Sequence, residues 1–207
     1  MPTRHAKVTT RTGDAGYTGL IGKERVPKWD PRPDTFGTLD EATSALGIAR
    51  AVTANARIKE TILRLQRELY LVMAELALST EAYEDSQFKV TEEHVAGLEA
   101  LSDELKRDVE IGNVFVVPGE TLPSAALDLA RTVVRRGERL ASRLFHDGVI
   151  ANSEILRYLN RLSDLLFVLA RYEEAMAGTE AAVARTAKRR RTRGQGTVGD
   201  GPDGQPG

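Results

Sequence analysis

Apolar residues recur at helical spacing along most of the chain after residue 34. The clearest stripe has members three or four positions apart: Ile155, Leu159, Leu162, Leu166 and Leu169. Because an α-helix has about 3.6 residues per turn, these side chains share one face. The same reasoning predicts five helices, over residues 35–55, 57–80, 91–110, 121–146 and 152–176. Thr91 and Asn152 carry side-chain oxygens that suit the start of two of them.

The connections between most of these helices are short, so consecutive helices are expected to run antiparallel. The sequence therefore predicts an all-α fold, an up-and-down five-helix bundle. Residues 112–119 are apolar and end in Pro-Gly, which indicates a buried loop or short strand across one end of the bundle. Residues 1–34 are rich in Thr, Gly and Pro and predict an extended arm. The arm and the bundle, residues 35–177, form one predicted domain of residues 1–177.

Composition narrows the classes of function. The 207 residues include no cysteine, which excludes disulfides, thiolate catalysis and cysteine-ligated metal centres and suits a reducing compartment. No apolar run approaches the roughly 20 residues that span a bilayer, and no export signal is evident. We therefore expect a cytoplasmic protein that does not contact membranes.

Charge is concentrated at the C-terminal end. The formal net charge is −1, but residues 178–207 carry six Lys and Arg against three Asp and Glu, which leaves +3 there and −4 in residues 1–177. This basic, Gly-rich tail has few apolar residues and is predicted to be disordered. Its cations lack interleaved aromatic residues that stack on bases, so a solvated appendage is favoured over contact with nucleic acid or acidic lipid.

Asn160 is a polar residue at the edge of buried surface. It belongs to the run YLNRLSDLLF, residues 158–167, whose leucines otherwise predict a core helix. A polar group placed there needs a hydrogen-bond partner or costs about 1–3 kcal/mol. Two interpretations stay open from the residues alone: the amide caps a neighbouring group, or it binds a ligand.

The fourth predicted helix carries clustered charges beside its apolar stripe: Arg131, Arg135, Arg136, Glu138 and Arg139. Guanidinium groups this close repel one another unless an anion or carboxylates neutralise them, and their planar forks fit phosphate oxygens. A surface salt-bridge pattern between turns is the simpler interpretation of this segment alone.

Two further features are weak when taken singly. Residues 10–19, TRTGDAGYTG, combine glycines and hydroxyls that could surround a phosphate, but they lack the P-loop pattern and are equally typical of a flexible terminus. His5, His94 and His146 lie in different predicted elements and none forms an ExxH pair, so we expect no metal site.

Six segments, taken together, resemble the ATP:cob(I)alamin adenosyltransferases of the propanediol-utilisation type. They follow the family's order between about residues 10 and 172: TRTGDAG (10–16), ERVPK (24–28), FGTLDE (36–41), FVVPG (115–119), RRGER (135–139) and YLNRLSD (158–164). The resemblance implies a ferritin-like, cobalamin adenosyltransferase-like bundle that forms a homotrimer with active sites between subunits. ATP and cobalamin would bind there side by side, with Mg²⁺ carried by ATP.

The resemblance also implies roles for individual residues. ATP would be held by residues of the arm and of the helices: Thr10, Arg11, Thr12, Gly13, Thr18, Lys28, Arg135, Arg136, Gly137, Glu138, Arg139 and Asn160. The catalytic residues would be Arg135, Phe115, Asp40 and Arg131. Phe115 matches the aromatic residue that closes the lower face of the corrinoid. Asp40 and Arg131 match an ion pair that links neighbouring subunits.

The sequence departs from the family pattern at two positions. Glu120 replaces the second glycine of the usual Pro-Gly-Gly, which adds charge and stiffens the turn after Phe115. Gly137 replaces the common alanine of the arginine motif, at a cost of about 1 kcal/mol in helix stability. The geometry of the corrinoid loop is the part of the resemblance that Glu120 affects.

The implied activity is transfer of the 5′-deoxyadenosyl group of ATP to cob(I)alamin, which yields adenosylcobalamin and triphosphate. The protein is thus expected to be an enzyme, a corrinoid adenosyltransferase. A carrier or sensor that binds ATP or adenosylcobalamin without efficient chemistry is the alternative, and a structural bundle recruited to nucleic acid by its tail is a third. The implied partners are a cob(II)alamin reductase and an adenosylcobalamin-dependent client enzyme.

Overall fold

Five long helices form the body of the molecule, as the hydrophobic pattern predicts. The computed structural model describes residues 9–184. The helices are α1 (Pro31–Val52), α2 (Ala56–Leu76), the four-residue α3 (Thr80–Tyr83), α4 (Glu92–Asp108), α5 (Leu122–His146) and α6 (Glu154–Met176). Helix α1 packs against α2 and α5, while α6 packs against α5 and α4. The predicted all-α five-helix bundle is confirmed, with the short α3 as an addition.

Leucine dominates the core between the helices. Every member of the stripe predicted on α6 is buried. Tyr158 is completely buried as well, and its hydroxyl donates to Glu68 Oε2 at 2.9 Å, which satisfies the polar end of the ring. Within residues 9–184, no helix combines the length and the apolar character needed to cross a bilayer.

Helix α1 begins earlier than predicted. The Asp30 carboxylate accepts a hydrogen bond from Arg32 N at 2.9 Å and so caps the first turn. Proline is tolerated in a first turn, because the missing amide hydrogen would have no partner there. The prolines at 31 and 33 therefore start the helix, and the arm ends at Asp30 rather than at residue 34 as predicted.

Helix α2 ends at Leu76 instead of residue 80, because the chain then pairs with the arm. Ile21 N donates to Ala77 O at 2.7 Å, and Ser79 N donates to Ile21 O at 2.9 Å. The adjoining Gly22 has a φ of 125° and lies against Ser79 so closely that a side chain there would collide. These contacts fix the arm to the end of the bundle.

Two short antiparallel ribbons flank the helices. In the arm, β1 (Tyr17–Gly19) pairs with β2 (Arg25–Pro27). At the opposite end, β3 (Val116–Val117) pairs with β4 (Ala182–Val183). Residues 112–119 thus contain the short strand that was one predicted form, but most of them are exposed, so the prediction of burial is wrong. The predicted disorder from residue 178 onward is also wrong for 178–184, whereas 185–207 lie outside the described residues.

Candidate functional site

The arm residues expected to hold ATP lie in a tight loop before β1. The hydroxyls of Thr10 and Thr12 are 3.0 Å apart. Arg25 reaches from β2 and donates to Thr12 O at 2.7 Å. Arg11 has a φ of 61°, and no other non-glycine residue among 9–184 has a positive φ. Such a conformation is unfavourable in a free chain and is frequent in loops that hold ligands.

Lys28 follows β2 and lies beside this loop. Its backbone N–H donates to Gly16 O at 2.9 Å. A Cβ atom added to Gly13 would lie 3.1 Å from Lys28 Nζ, so the ammonium group packs closely against the glycine. Thr18, in contrast, belongs to β1 opposite Val26. The structure therefore gathers Thr10, Thr12, Gly13 and Lys28 on one side of the arm.

An open hollow of about 500 Å³ adjoins Lys28 and faces the first turns of α1. Its walls are formed by Lys28, Trp29, Pro33, Asp34, Gly37, Thr38 and Glu41. Trp29 is the only tryptophan of the chain and its side chain is 73% exposed. Sequence reasoning missed this residue. Its signal was a large aromatic residue placed between charges in a segment without periodicity.

A second concave surface lies between α4, α5 and α6. This cavity of about 460 Å³ is lined by Lys106, Ile111, Arg131, Arg135, Ser163, Asp164, Phe167 and Val168. Arg131 and Arg135 are one helical turn apart and both face it. Paired guanidinium groups on a concave wall are suited to phosphate or carboxylate oxygens.

Asn160, whose partner the sequence left open, is hydrogen-bonded within the chain. Its Nδ2 donates to Glu138 Oε1 at 3.0 Å, and its Oδ1 accepts from Arg161 Nη1 at 2.6 Å. Arg161 in turn donates from Nε to Glu99 Oε1 at 2.8 Å. The structure thus brings together Asn160 and Glu138, two members of the predicted ATP set, at the seam of α5 and α6.

Other members of the arginine motif face different directions. Arg136 forms an ion pair with Glu41 of α1. Arg139 Nη1 donates to Arg135 O at 2.9 Å. Gly137 is buried between α5 and α1, where an added Cβ would lie 2.5 Å from Leu39 Cδ2. This glycine permits close helix packing, and its contact with ATP stays a prediction.

Arg131 belongs to a largely buried charge network that was not predicted from the sequence. It consists of Arg131, Asp128, Arg171 and Glu174. Burial disfavours the charged form of Arg171, but its hydrogen bonds to Glu174 and Asp128 outweigh this effect, and the pKa of Arg171 is raised. Its members come from α5 and α6, so no local sequence pattern joins them.

Phe115 projects from the loop before β3 and is 87% exposed. The β3–β4 ribbon holds this loop, since Ala184 N donates to Phe115 O at 2.8 Å. Glu120, a departure from the family pattern, also contributes: its Oε1 accepts from Ala182 N at 3.2 Å. A cavity of about 620 Å³ extends from this ribbon to Phe167 and Arg171. An exposed aromatic ring on a restrained loop is suited to contact a large apolar ligand.

Asp40 and Arg131 do not pair with each other in the single chain. Asp40 is exposed on α1, and its carboxylate makes no hydrogen bond or ion pair with any residue from 9 to 184. Arg131 instead donates from Nε to Asp128 Oδ1 at 2.7 Å.

Many of the predicted site residues fall into two groups on one chain, and the others lie outside both groups: Thr18, Asp40, Phe115, Arg136, Gly137 and Arg139. The arm group surrounds Lys28, next to α1, and the helix group surrounds Arg135 and Asn160, next to α4 and α6. Across the described part of the chain, no hydrogen bond or ion pair joins Thr10, Gly13 or Lys28 to the helix group.

Comparison with known proteins places this arrangement in a family. The sequence model of the cobalamin adenosyltransferases matches residues 8–173. A corrinoid adenosyltransferase of Citrobacter freundii is 38% identical over 168 residues, which cover 81% of this chain and 95% of that protein. The corrinoid adenosyltransferase PduO of Salmonella typhimurium is 36% identical over 182 residues, and the match spans 54% of that longer protein.

A solved structure agrees with the sequence relatives. A variant of the PduO-type ATP:corrinoid adenosyltransferase from Lactobacillus reuteri, complexed with cobalamin and ATP, superimposes with a TM-score of 0.80. It is 31% identical, and the match covers 87% of this chain and all of that one. The family match runs from the arm into the last helix, α6, and on this basis the chain belongs to the cobalamin adenosyltransferase family.

Proposed function

We propose that this protein transfers the 5′-deoxyadenosyl group of ATP to cob(I)alamin, which yields adenosylcobalamin and triphosphate. One observation carries the proposal: a chain of the cobalamin adenosyltransferase family has a cavity in which Arg131 and Arg135 stand side by side. A carrier without chemistry would need only a fitting pocket. Two adjacent guanidinium groups additionally suit a reaction in which negative charge develops on phosphate oxygens.

The chemistry requires no nucleophile from the protein. The electron pair of cobalt(I) attacks C5′ of ATP, the cobalt–carbon bond forms, and the C5′–O bond breaks. Triphosphate leaves with the electron pair of that bond. The protein has two tasks, to hold cobalt and C5′ in line and to stabilise the leaving group.

The two residue groups divide these tasks. Lys28 and the loop of Thr10, Arg11, Thr12 and Gly13 bind the triphosphate through an ammonium group, hydroxyls and backbone amides. Arg135 stabilises the charge that develops on the leaving oxygens. Asn160 and Glu138, hydrogen-bonded to each other, present a polar edge to the nucleoside.

Metal chemistry depends on the nucleotide rather than on a protein site. In the range from 9 to 184, no group of three or more acidic or histidine side chains is arranged to hold a metal ion. We assign Mg²⁺ to the triphosphate oxygens of ATP, as the resemblance to the family implies.

Phe115 binds the corrinoid. Its exposed ring covers the lower face of the substrate and excludes water and the lower ligand from cobalt, which favours reduction to cobalt(I). The ribbon contacts at Ala184 and Glu120 hold the loop in place for this contact.

The active protein is a homotrimer with sites between subunits. The separation of the arm group from the helix group supports this arrangement, because a neighbouring subunit can bring its arm to the cavity. Exposed apolar residues on α1 and α5 supply surface for such contacts: Ile48, Val52, Leu122 and Leu129. Asp40 would then pair with Arg131 of the neighbour.

Further partners follow from the chemistry. Cobalt(I) must be generated by a cob(II)alamin reductase, and adenosylcobalamin must be consumed by a client enzyme. The cytoplasm is the compartment that we propose for these steps.

The test is an anaerobic incubation of the purified protein with chemically reduced cobalamin, Mg²⁺ and ATP, followed by visible spectroscopy. We expect a light-sensitive adenosylated product, and Arg135→Ala should slow its formation by about 100-fold or more. Arg67→Ala is the matched control, because Arg67 is an exposed arginine on α2, away from both groups. If ATP binds but no product forms, the protein is a carrier and the proposal is wrong.

A further inference from the structure

Asp128 is a buried carboxylate that accepts hydrogen bonds from two arginines. It is 3% exposed. Its Oδ1 accepts from Arg131 Nε at 2.7 Å, and its Oδ2 accepts from Arg171 Nη2 at 3.0 Å. Both oxygens are thus engaged, which fixes the plane of the carboxylate.

Arg171 anchors this carboxylate from behind. It is 7% exposed, and it donates from Nε to Glu174 Oε2 at 2.7 Å and from Nη2 to Glu174 Oε1 at 2.8 Å. Its guanidinium also stands 5.0 Å from the ring centre of Phe167. The network contains two cations and two anions, so the negative charge of Asp128 is compensated and its carboxylate is held in one position.

Arg131 connects this network to the cavity. Asp128 holds it through Nε, and among the described residues its two terminal nitrogens have no hydrogen-bond partner. The guanidinium lies beside Arg135 in the cavity wall. A single bond at Nε on the inner side leaves the fork of terminal nitrogens for an acceptor outside the chain.

We propose that Asp128 is a positioning residue: it orients Arg131 so that the terminal nitrogens meet a carboxylate of a second copy of the chain at the cavity mouth. The inference rests on the proposed adenosyl transfer. Asp128 itself touches no substrate and acts only through Arg131.

A purely structural salt bridge would have the same contacts, so the test must separate orientation from stability. Asp128→Asn keeps the shape and removes the charge. Arg131→Lys keeps the charge and removes the Nε bond. We would measure kcat, KM for ATP and cobalamin, and the thermal midpoint for each single variant and for the double variant.

Glu173→Gln is the matched control. Glu173 is a buried carboxylate on α6, the helix of Arg171, but it accepts from Thr53 Oγ1 at 2.9 Å and does not contact Arg131. We expect its thermal midpoint to fall as that of Asp128→Asn does, with kcat/KM within about twofold of wild type.

Orientation through Arg131 predicts that the kinetic effects do not multiply. Asp128→Asn should lower kcat/KM for cobalamin by about tenfold, and adding it to Arg131→Lys should lower the value by no more than about a further twofold. Multiplied losses, or wild-type kinetics for Asp128→Asn, would overturn the inference. If Asp128→Asn does not fold, Asp128→Glu replaces it in the same cycle, since it keeps the charge that compensates Arg171 and displaces the carboxylate. A wild-type protein that transfers no adenosyl group would overturn the proposed function as well, whereas multiplied losses in an active protein overturn this inference alone.

Discussion

Trp29 follows Lys28 at the end of the arm, and backbone hydrogen bonds hold the residues on both sides of it. Lys28 N donates to Gly16 O at 2.9 Å on one side, and Asp30 N donates to Pro27 O at 2.9 Å on the other. The ring of Tyr17 lies 6.1 Å away, tilted by 58°. A tryptophan is rarely so exposed, because burying its ring is strongly favourable. A nucleotide held by Lys28 would cover part of this ring.

We therefore expect ATP to change the tryptophan fluorescence of the protein. Adding Mg²⁺ and ATP without cobalamin should give a saturable change, and Lys28→Ala should raise the apparent Kd by about tenfold, because a charge-assisted contact is lost. Arg67→Ala should leave the titration unchanged. Calorimetric binding of ATP with unaltered emission would show that the nucleotide lies away from Trp29.

At Gly137, close packing of α5 on α1 outweighs helix propensity. Replacing it by alanine removes a propensity cost of about 1 kcal/mol, but the new Cβ lies 2.5 Å from Leu39 Cδ2. Overpacking of this kind costs about 1–3 kcal/mol, so Gly137→Ala should lower the free energy of unfolding by about 1 kcal/mol in urea titrations.

Gly47→Ala is the control for this comparison, since Gly47 also lies inside a helix but its nearest atom to an added Cβ is Gln66 Nε2 at 3.5 Å. It should raise the free energy of unfolding by about 0.5–1 kcal/mol. Equal stabilisation by both substitutions would show that α1 and α5 are not in tight contact.

Single residues were predictable where the chemistry was local. The sequence showed that Asn160 needs a partner, because it lies at the edge of an apolar stripe, but not that Glu138 and Arg161 supply it. Asp128 gave no signal at all. Its partner Arg171 is 43 positions away, and only packing of α5 on α6 brings them together.

At the scale of elements, Glu75 joins the end of α2 to three later segments. Its oxygens accept from Tyr83 OH at 3.1 Å, Val90 N at 2.6 Å and Asn152 Nδ2 at 2.8 Å. These donors belong to α3, to the segment before α4 and to the segment before α6. One buried carboxylate thus fixes the connections on the side of the bundle that carries the arm.

This anchor makes stability depend on pH in the alkaline range. Burial, together with the charge of Glu75 and the hydrogen bond to it, raises the pKa of Tyr83 to about 12. An unfolded tyrosine has a pKa of about 10. The folded state therefore holds the phenolic proton more tightly, so this stability is fully present below pH about 10 and is lost as pH rises toward about 12.

Urea unfolding between pH 9 and pH 11.5 measures the effect, with Tyr83→Phe as the reference. Wild type should lose stability more steeply with pH than Tyr83→Phe over this range, because the variant lacks the Tyr83 phenol, while the buried phenol of Tyr158, whose pKa is also raised, is common to both. Parallel curves would show that Tyr83 is not held against Glu75 in solution.

Helices were predicted well and their ends less so, for a physical reason. The apolar period is a property of each segment's own sequence, whereas the position of a helix end depends on contacts with distant parts of the chain. Helix α2 stops at Leu76 because Ile21 pairs with residues 77 and 79, a contact from the other end of the sequence. The pairing of β4 with β3 is equally distant in sequence, and no local pattern in the tail predicted it.

At the scale of the whole molecule, the arm group and the helix group line different concave surfaces of one chain. Lys28 and the arm loop lie beside α1, while Arg131 and Arg135 line the cavity between α4, α5 and α6. The resemblance to a family supplied both groups and their expected roles. The separation itself required the structure, since a sequence gives no indication of which residues of one chain can reach each other.

Mixing two defective subunits shows whether each active site is shared between neighbouring subunits. Lys28→Ala keeps the helix group and Arg135→Ala keeps the arm group, so at subsaturating ATP neither protein alone should transfer adenosyl groups efficiently. If each site joins the arm of one subunit to the helices of its neighbour, random mixed trimers restore about a quarter of the sites. We expect adenosylcobalamin formation by the co-expressed variants to rise to about that share of wild-type activity. Mixed assemblies that stay as inactive as the separate variants would show that the arm and the helices of a site do not come from different subunits.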